Sequence, residues 1–161
     1  MTWCLVRTYK ITMAVNETAK KLWSGEKTQT IARKLYLEGY SCTESMLHSF
    51  KNANVVEISD EVLKVGAGFR TGIVGSGCLC GVLTASVIII GLKYGRKDKN
   101  ENNKIADEKI KKFYEEFKNK YKATCCRVIT KKWKENFSSQ DRKNHCANIV
   151  SEMSVILEKL L

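Results

Sequence analysis

Cysteine is the residue type with which this chain can do chemistry. Seven cysteines stand at positions 4, 42, 78, 80, 125, 126 and 146. Cys42 lies in Ser41-Cys42-Thr43-Glu44, which has the form of a capping box at a helix start. Cys78 falls in a glycine-rich turn, Cys80 at the entry to an apolar helix, and Cys126 just after Thr124, a residue suited to cap a short helix. Free N–H groups and the helix field stabilise a thiolate at such places. A thiolate is what both metal ligation and thiol–disulfide exchange use. The spacing contains no C-x-x-C knuckle and no closely spaced ferredoxin run, so any site must be assembled from different helices by the tertiary fold. The plainer alternative is that cysteine is a small, often buried hydrophobe and that several of the seven simply pack. On the residues alone the two readings balance.

Other chemistry is poorly provided for. Two histidines exclude a His-based metal cage. His145 stands beside Cys146 and suits a proton carrier or alternate ligand. Adjacent helical residues point about 100° apart, however, so the two do not meet one centre. His48 has less still to recommend it. No carboxylate pair or nucleophile–base arrangement stands out for hydrolysis.

The elements that must position the cysteines read as helices. Residues 1–12 form an extended arm, and a short helix runs from Thr12 to Trp23. Thr28 caps a helix with Ile31, Ala32, Leu35 and Tyr36 on one face, and Gly39 ends it. Met46, Leu47 and Phe50 give the Ser41-capped helix its apolar positions. Ser59-Asp60-Glu61 opens a helix with Val62, Leu63 and Val65. A glycine-rich connection from Gly66 to Gly77 leads into an apolar helix ending near Tyr94-Gly95. Ala106, Ile110, Phe113, Phe117 and Tyr121 make one face of the next helix. A short helix spans Cys126 to Lys134. Ser138 with Asp141 then caps a last helix carrying Cys146, Ile149, Val150, Met153 and Leu157. The expectation is an all-α, compact bundle of about six to seven helices around an apolar central helix. It is a single domain over 1–161, with 1–27 an N-terminal arm and short helix.

Composition bounds the rest. A chain of 161 residues with ten Gly and no Pro can bury a core and is not collagen-like or low-complexity. Gly72 to Leu92 is free of charge for 21 residues, the length of a membrane span. Five glycines and two cysteines dilute it, and only Val82 to Leu92 is densely apolar, so a buried helix is expected instead. The start of the chain lacks the basic-then-apolar pattern of an export signal, which points to the reducing cytoplasm, where cysteines serve as ligands or redox thiols. The net charge is +11, with fifteen Lys or Arg against six Asp or Glu between 93 and 134. Those lysines surround an apolar helical stripe, so a solvated face is expected and nucleic acid is not. A homodimer sharing the apolar helix is one arrangement such a chain can take.

The cysteine segments resemble a known family of redox-active proteins with a four-cysteine pattern, whose central segment reads C-G-A-x-x-G. Gly39-Tyr40-Ser41-Cys42 is similar to its first segment. Gly66-Ala67-Gly68-Phe69 and Gly72 are similar to its glycine-rich approach. Cys80-Gly81-Val82-Leu83-Thr84-Ala85, with Ile90 to Gly95, resembles its central motif. Cys126-Arg127 and His145-Cys146-Ala147 resemble the third and fourth segments. The likeness runs from about Ala32 to Leu157. It implies a small all-helical protein of redox or electron-transfer function, with an iron–sulfur cluster suggested for exported members. Val82 and Ala85 depart from the pattern, each adding bulk where it has a smaller residue.

The resemblance makes Cys42, Cys80, Cys126 and Cys146 the ligand set of a cysteine-ligated centre, with Cys78 as an extra ligand and Cys125 outside the set. Gly77 and Gly81 would bring backbone N–H groups near the sulfurs. Iron–sulfur ligation would support one-electron transfer to a redox partner protein. The same ligands suit structural zinc. A metal-free thiol–disulfide protein is the alternative, with Cys42 attacking and Cys80 or Cys78 resolving. A third reading is a basic helical interaction module whose cysteines are core.

Overall fold

The computed structural model describes residues 28–161. The arm and the Thr12–Trp23 helix, with Cys4, lie outside the described residues. Six helices of seven or more residues make up the described part: α1 (Thr28–Glu38), α2 (Cys42–Asn52), α3 (Asp60–Gly66), α4 (Gly81–Tyr94), α5 (Lys104–Tyr121) and α6 (Gln140–Leu160). A left-handed turn at Arg70–Ile73, a single helical turn at Cys126–Ile129 and short 3-10 turns join them. The described chain is all-α.

Local chemistry sets the helix ends. The Ser41 hydroxyl accepts from the Glu44 amide and the Glu44 carboxylate accepts from the Ser41 amide, so the capping box forms as expected. Ahead of it, Gly39 takes a φ of +117°, which lets the Tyr40 amide return to the Leu35 carbonyl at 3.2 Å and close α1. The cap of α6 is Ser139, not Ser138; its hydroxyl accepts from the Arg142 amide. The Arg142 side chain folds back onto the Phe137 carbonyl and ring, which fixes that register. The expected helix from Cys126 to Lys134 breaks at Thr130. There the hydroxyl donates to the Cys126 carbonyl at 2.8 Å, and a 3-10 turn follows.

α1 lies along α6, α2 packs between α1 and α4, and α5 covers α4. Phe50, Met46 and Leu47 from α2 meet Leu83, Ile89 and Ile90 from α4, Phe113 and Phe117 from α5, and Met153 and Leu157 from α6 in one core. Ala106, Phe113 and Phe117 are the buried face of α5, as its spacing predicts. α4 is apolar all round, yet the bundle does not enclose it. Val87 and Leu92 on its outer side are 41% and 43% exposed. No described helix is long and apolar enough to cross a membrane.

Candidate functional site

Four cysteines arrive at one place from four elements. Cys42 is the first residue of α2, Cys80 is the N-cap of α4, Cys126 begins its helical turn and Cys146 lies on the second turn of α6. All six pairings among them are close enough for one charge to shift another. A cleft of about 430 Å³ opens beside them, and Cys42, Cys126 and Cys146 form part of its wall. Arg70, Arg142 and Lys143 line the same cleft, with Glu44 as the acidic residue.

The approach of α4 to α2 depends on Gly81. A Cβ there would stand 2.5 Å from the Thr43 hydroxyl oxygen, 3.1 Å from the Thr43 amide nitrogen and 3.2 Å from Cys42 Cβ. The Thr43 hydroxyl instead donates to the Gly81 carbonyl at 3.2 Å. The glycine after Cys80 therefore brings the starts of two helices together, and with them Cys42 and Cys80. Val82 and Ala85, the two bulkier residues of this segment, are fully buried in the core and do not line the cleft.

The turn that carries Cys126 is pinned to the one that carries Cys80. The Cys80 amide donates to the Thr124 carbonyl at 2.9 Å, and the Arg127 amide donates to the Gly77 carbonyl at 3.0 Å. Gly77 has a φ of +78°, and a Cβ on it would lie 2.8 Å from Arg127 Cβ. Its part is to let these two backbones meet.

The four thiols are unlike in acidity. Cys146 is drawn down to about 6 by the Cys42 thiol donating to it, against the opposing effect of burial; Tyr36 and Arg142 add to the downward pull. Arg142 Nη1 stands 3.9 Å from Cys146 Sγ and 3.3 Å from the Tyr36 hydroxyl. Donation to Cys146 raises Cys42 well above its ordinary value, and loss of water raises it further. Burial pushes Cys80 up to about 12, although the amides of Val82 and Leu83 act the other way. Burial also raises Cys126. Cys146 is thus the most acidic thiol of the four, its charged form favoured by a thiol, a phenol and a guanidinium.

Tyr36 and Arg142 are site residues that the sequence reading missed. Arg142 precedes Cys146 by one helical turn, a spacing at which side chains meet, and that signal was available. Tyr36 had been read as part of an apolar face, and no motif marks it. Cys42 couples to Cys146, whereas the metal-free alternative pairs Cys42 with Cys80 or Cys78. Cys78 lies against Cys125, with their sulfurs 3.0 Å apart. His145 packs tilted against Trp133 with ring centres 4.8 Å apart, and His48 against Tyr40 at 5.0 Å.

Among the described residues, no three Cys, His, Asp or Glu side chains are gathered as a single metal ion requires. A lone tetrahedral ion needs its sulfurs about 2.3 Å from one point. An iron–sulfur cluster is a larger body held by four cysteine thiolates around it, and the number and type of donors here fit that group.

No curated protein and no solved structure matches the chain. A family model does match, over residues 40–160, which takes in all four of these cysteines. Its description spells the central segment G-C-A-x-x-G, which the chain does not contain to the letter. With three quarters of its length under that match, the chain belongs to the family described as "Putative redox-active protein (C_GCAxxG_C_C)".

Proposed function

We propose that this protein is an electron carrier whose working centre is an iron–sulfur cluster held by Cys42, Cys80, Cys126 and Cys146. The observation that carries this reading is the convergence of four thiols from four elements, three of them on the wall of one cleft and Cys80 buried beside them. Dithiol chemistry needs two, and it would leave Cys80 and Cys126 without a part. When bound, such a cluster supplies one-electron redox chemistry at a potential set by burial and by hydrogen bonds to sulfur. The chain's own residues provide those settings. Arg142 and Tyr36 address the Cys146 sulfur, and the Val82 and Leu83 amides address Cys80. Arg70, Arg142 and Lys143 at the cleft favour a redox partner with an acidic surface.

The test is iron and acid-labile sulfide analysis, with a visible spectrum, on protein purified without oxygen. Stoichiometric iron and sulfide, lost in Cys42→Ser and in Cys80→Ser, is the expected result. Zinc alone, or no metal at all, overturns the reading.

The Cys42–Cys146 coupling favours a second reading, metal-free thiol exchange. The Cys146 thiolate would attack a substrate disulfide, forming a mixed disulfide and releasing one thiolate. Cys42, losing its proton, would then attack the Cys146 sulfur, close Cys42–Cys146 and release the second. A two-electron couple, with no iron bound, would distinguish it.

A further inference from the structure

Two cysteines outside the four-cysteine site meet each other. Cys78 Sγ and Cys125 Sγ are 3.0 Å apart, although the residues are 47 positions apart in sequence. That is shorter than the contact two unbonded sulfurs ordinarily make and about 1 Å longer than a disulfide bond of about 2.05 Å. Both are free thiols, and each is partly open to solvent. Neither lines the cleft beside Cys42 and Cys146.

The backbone around them is built to hold this pairing. The bonds from Cys80 to Thr124 and from Arg127 to Gly77 bracket the two thiols on either side, at 2.9 and 3.0 Å. Gly77 packs on the stem of Arg127 with no room for a side chain. On the Cys78 side, a Cβ on Gly72 would lie 2.6 Å from the Cys78 amide nitrogen, and the Ser76 hydroxyl donates to the Gly72 carbonyl at 2.6 Å. Two turns are thus fixed face to face, and each delivers one accessible thiol to the same point.

We infer that Cys78 and Cys125 form a second redox couple, interconverting reversibly between dithiol and disulfide at the surface. The oxidant is a low-molecular-weight disulfide. One of the two thiols, as its thiolate, attacks a sulfur of that disulfide, so that a mixed disulfide forms and one thiolate leaves. The other then attacks the protein sulfur of the mixed disulfide, closes Cys78–Cys125 and expels the second thiolate. The two protons of the protein thiols pass to the two leaving thiolates. Two electrons move from the protein to the small disulfide, and an excess of small thiol reverses every step. Oxidation ties together the turns that present Cys80 and Cys126.

The experiment equilibrates the full chain with oxidised and reduced glutathione, blocks free thiols by alkylation and maps the tryptic peptides. The expected product joins the peptide 71–93 to the peptide 123–127, two hydrogens lighter than the free pair, and disappears in about a tenfold excess of reduced reagent. Each peptide also contains a cysteine of the first site, Cys80 or Cys126. Cys78→Ser and Cys125→Ser, at partly exposed positions, must therefore each abolish the link. A link that survives either substitution joins other cysteines and overturns the inference. So does oxidation of other thiols while Cys78 and Cys125 stay open to alkylation. The same link is expected in Cys42→Ser, where the first site is broken, so the outcome does not depend on whether that site holds a cluster.

Discussion

At Cys146 three donors act in one direction. The Cys42 thiol, the Tyr36 hydroxyl and the Arg142 guanidinium all favour the charged sulfur, and together they outweigh burial and bring it to about 6. Arg142 is itself immobilised. Its Nε donates to the Phe137 carbonyl, and its guanidinium lies 4.2 Å from the Phe137 ring centre. A group so fixed gives a steady field at the sulfur. In the metal-free protein this has a direct consequence for reactivity. Alkylation of Cys146 should be level above about pH 6 and fall about tenfold for each further unit of acid, because only the thiolate reacts. Arg142→Leu and Tyr36→Phe should each move that midpoint upward, toward the ordinary thiol range. The check is a pH series of iodoacetamide labelling, read at Cys146 by mass spectrometry. An unmoved midpoint in both variants would mean that Cys42 alone sets the acidity. The same pairing bears on stability. A thiol whose folded value is depressed stabilises the fold at pH above its unfolded value, and that contribution is lost as pH falls through about 6.

The starts of α2 and α4 meet because Gly81 has no side chain, and the site depends on that meeting. Gly81→Ala would press a methyl against both the Thr43 hydroxyl and the Thr43 backbone nitrogen. The cost expected for such overpacking is about 1–3 kcal/mol, measurable by urea unfolding. Gly81→Ala with Thr43→Ala should recover part of it, since the contact with the hydroxyl goes while the one with the backbone remains. A full loss in the double variant would place the cost in the backbone contact. These elements also show what can be read from sequence. The capping box at Ser41 and the Ala106–Phe113–Phe117 face were legible because each depends on residues within one or two turns of helix. The break at Thr130 was not, because nothing in the residue pattern from Cys126 to Lys134 marks it; the Thr130 amide and hydroxyl both donate to the Cys126 carbonyl before the chain tightens into a 3-10 turn. The four cysteine segments could be read off in order, but which sulfurs touch could not. Cys42 meets Cys146 through the packing of α1, α2 and α6. Cys78 turns to Cys125 through backbone bonds between segments far apart in sequence, whereas the sequence reading makes it an extra ligand at the same point as Cys80.

Across the whole molecule, charge and connectivity have separate tasks. The lysines of α5 mostly lie on its solvent side, with Lys111, Lys112 and Lys118 exposed, while Phe113 and Phe117 hold the core. The basic excess is thus largely a solvated face, as the helical stripe predicts. Connectivity matters for the second cysteine pair. A Cys78–Cys125 bond would close a loop containing the whole of α4 and α5, the two helices that bring much of the apolar surface to the core. Closing a loop of this length removes unfolded-state entropy equivalent to about 4 kcal/mol in the chain-entropy model, and native disulfides commonly deliver about 2–4 kcal/mol. The native cost is small if the bond needs only the ~1 Å approach of two thiols already in contact. The oxidised protein should therefore unfold at higher urea concentration than the reduced protein. Its denaturant slope should be lower, because a cross-linked unfolded chain exposes less surface. Cys125→Ser should show neither difference between oxidising and reducing buffer. If oxidation instead lowers the midpoint in the native sequence alone, the two turns resist the bond and the couple is strongly oxidising, since strain in the disulfide favours the dithiol.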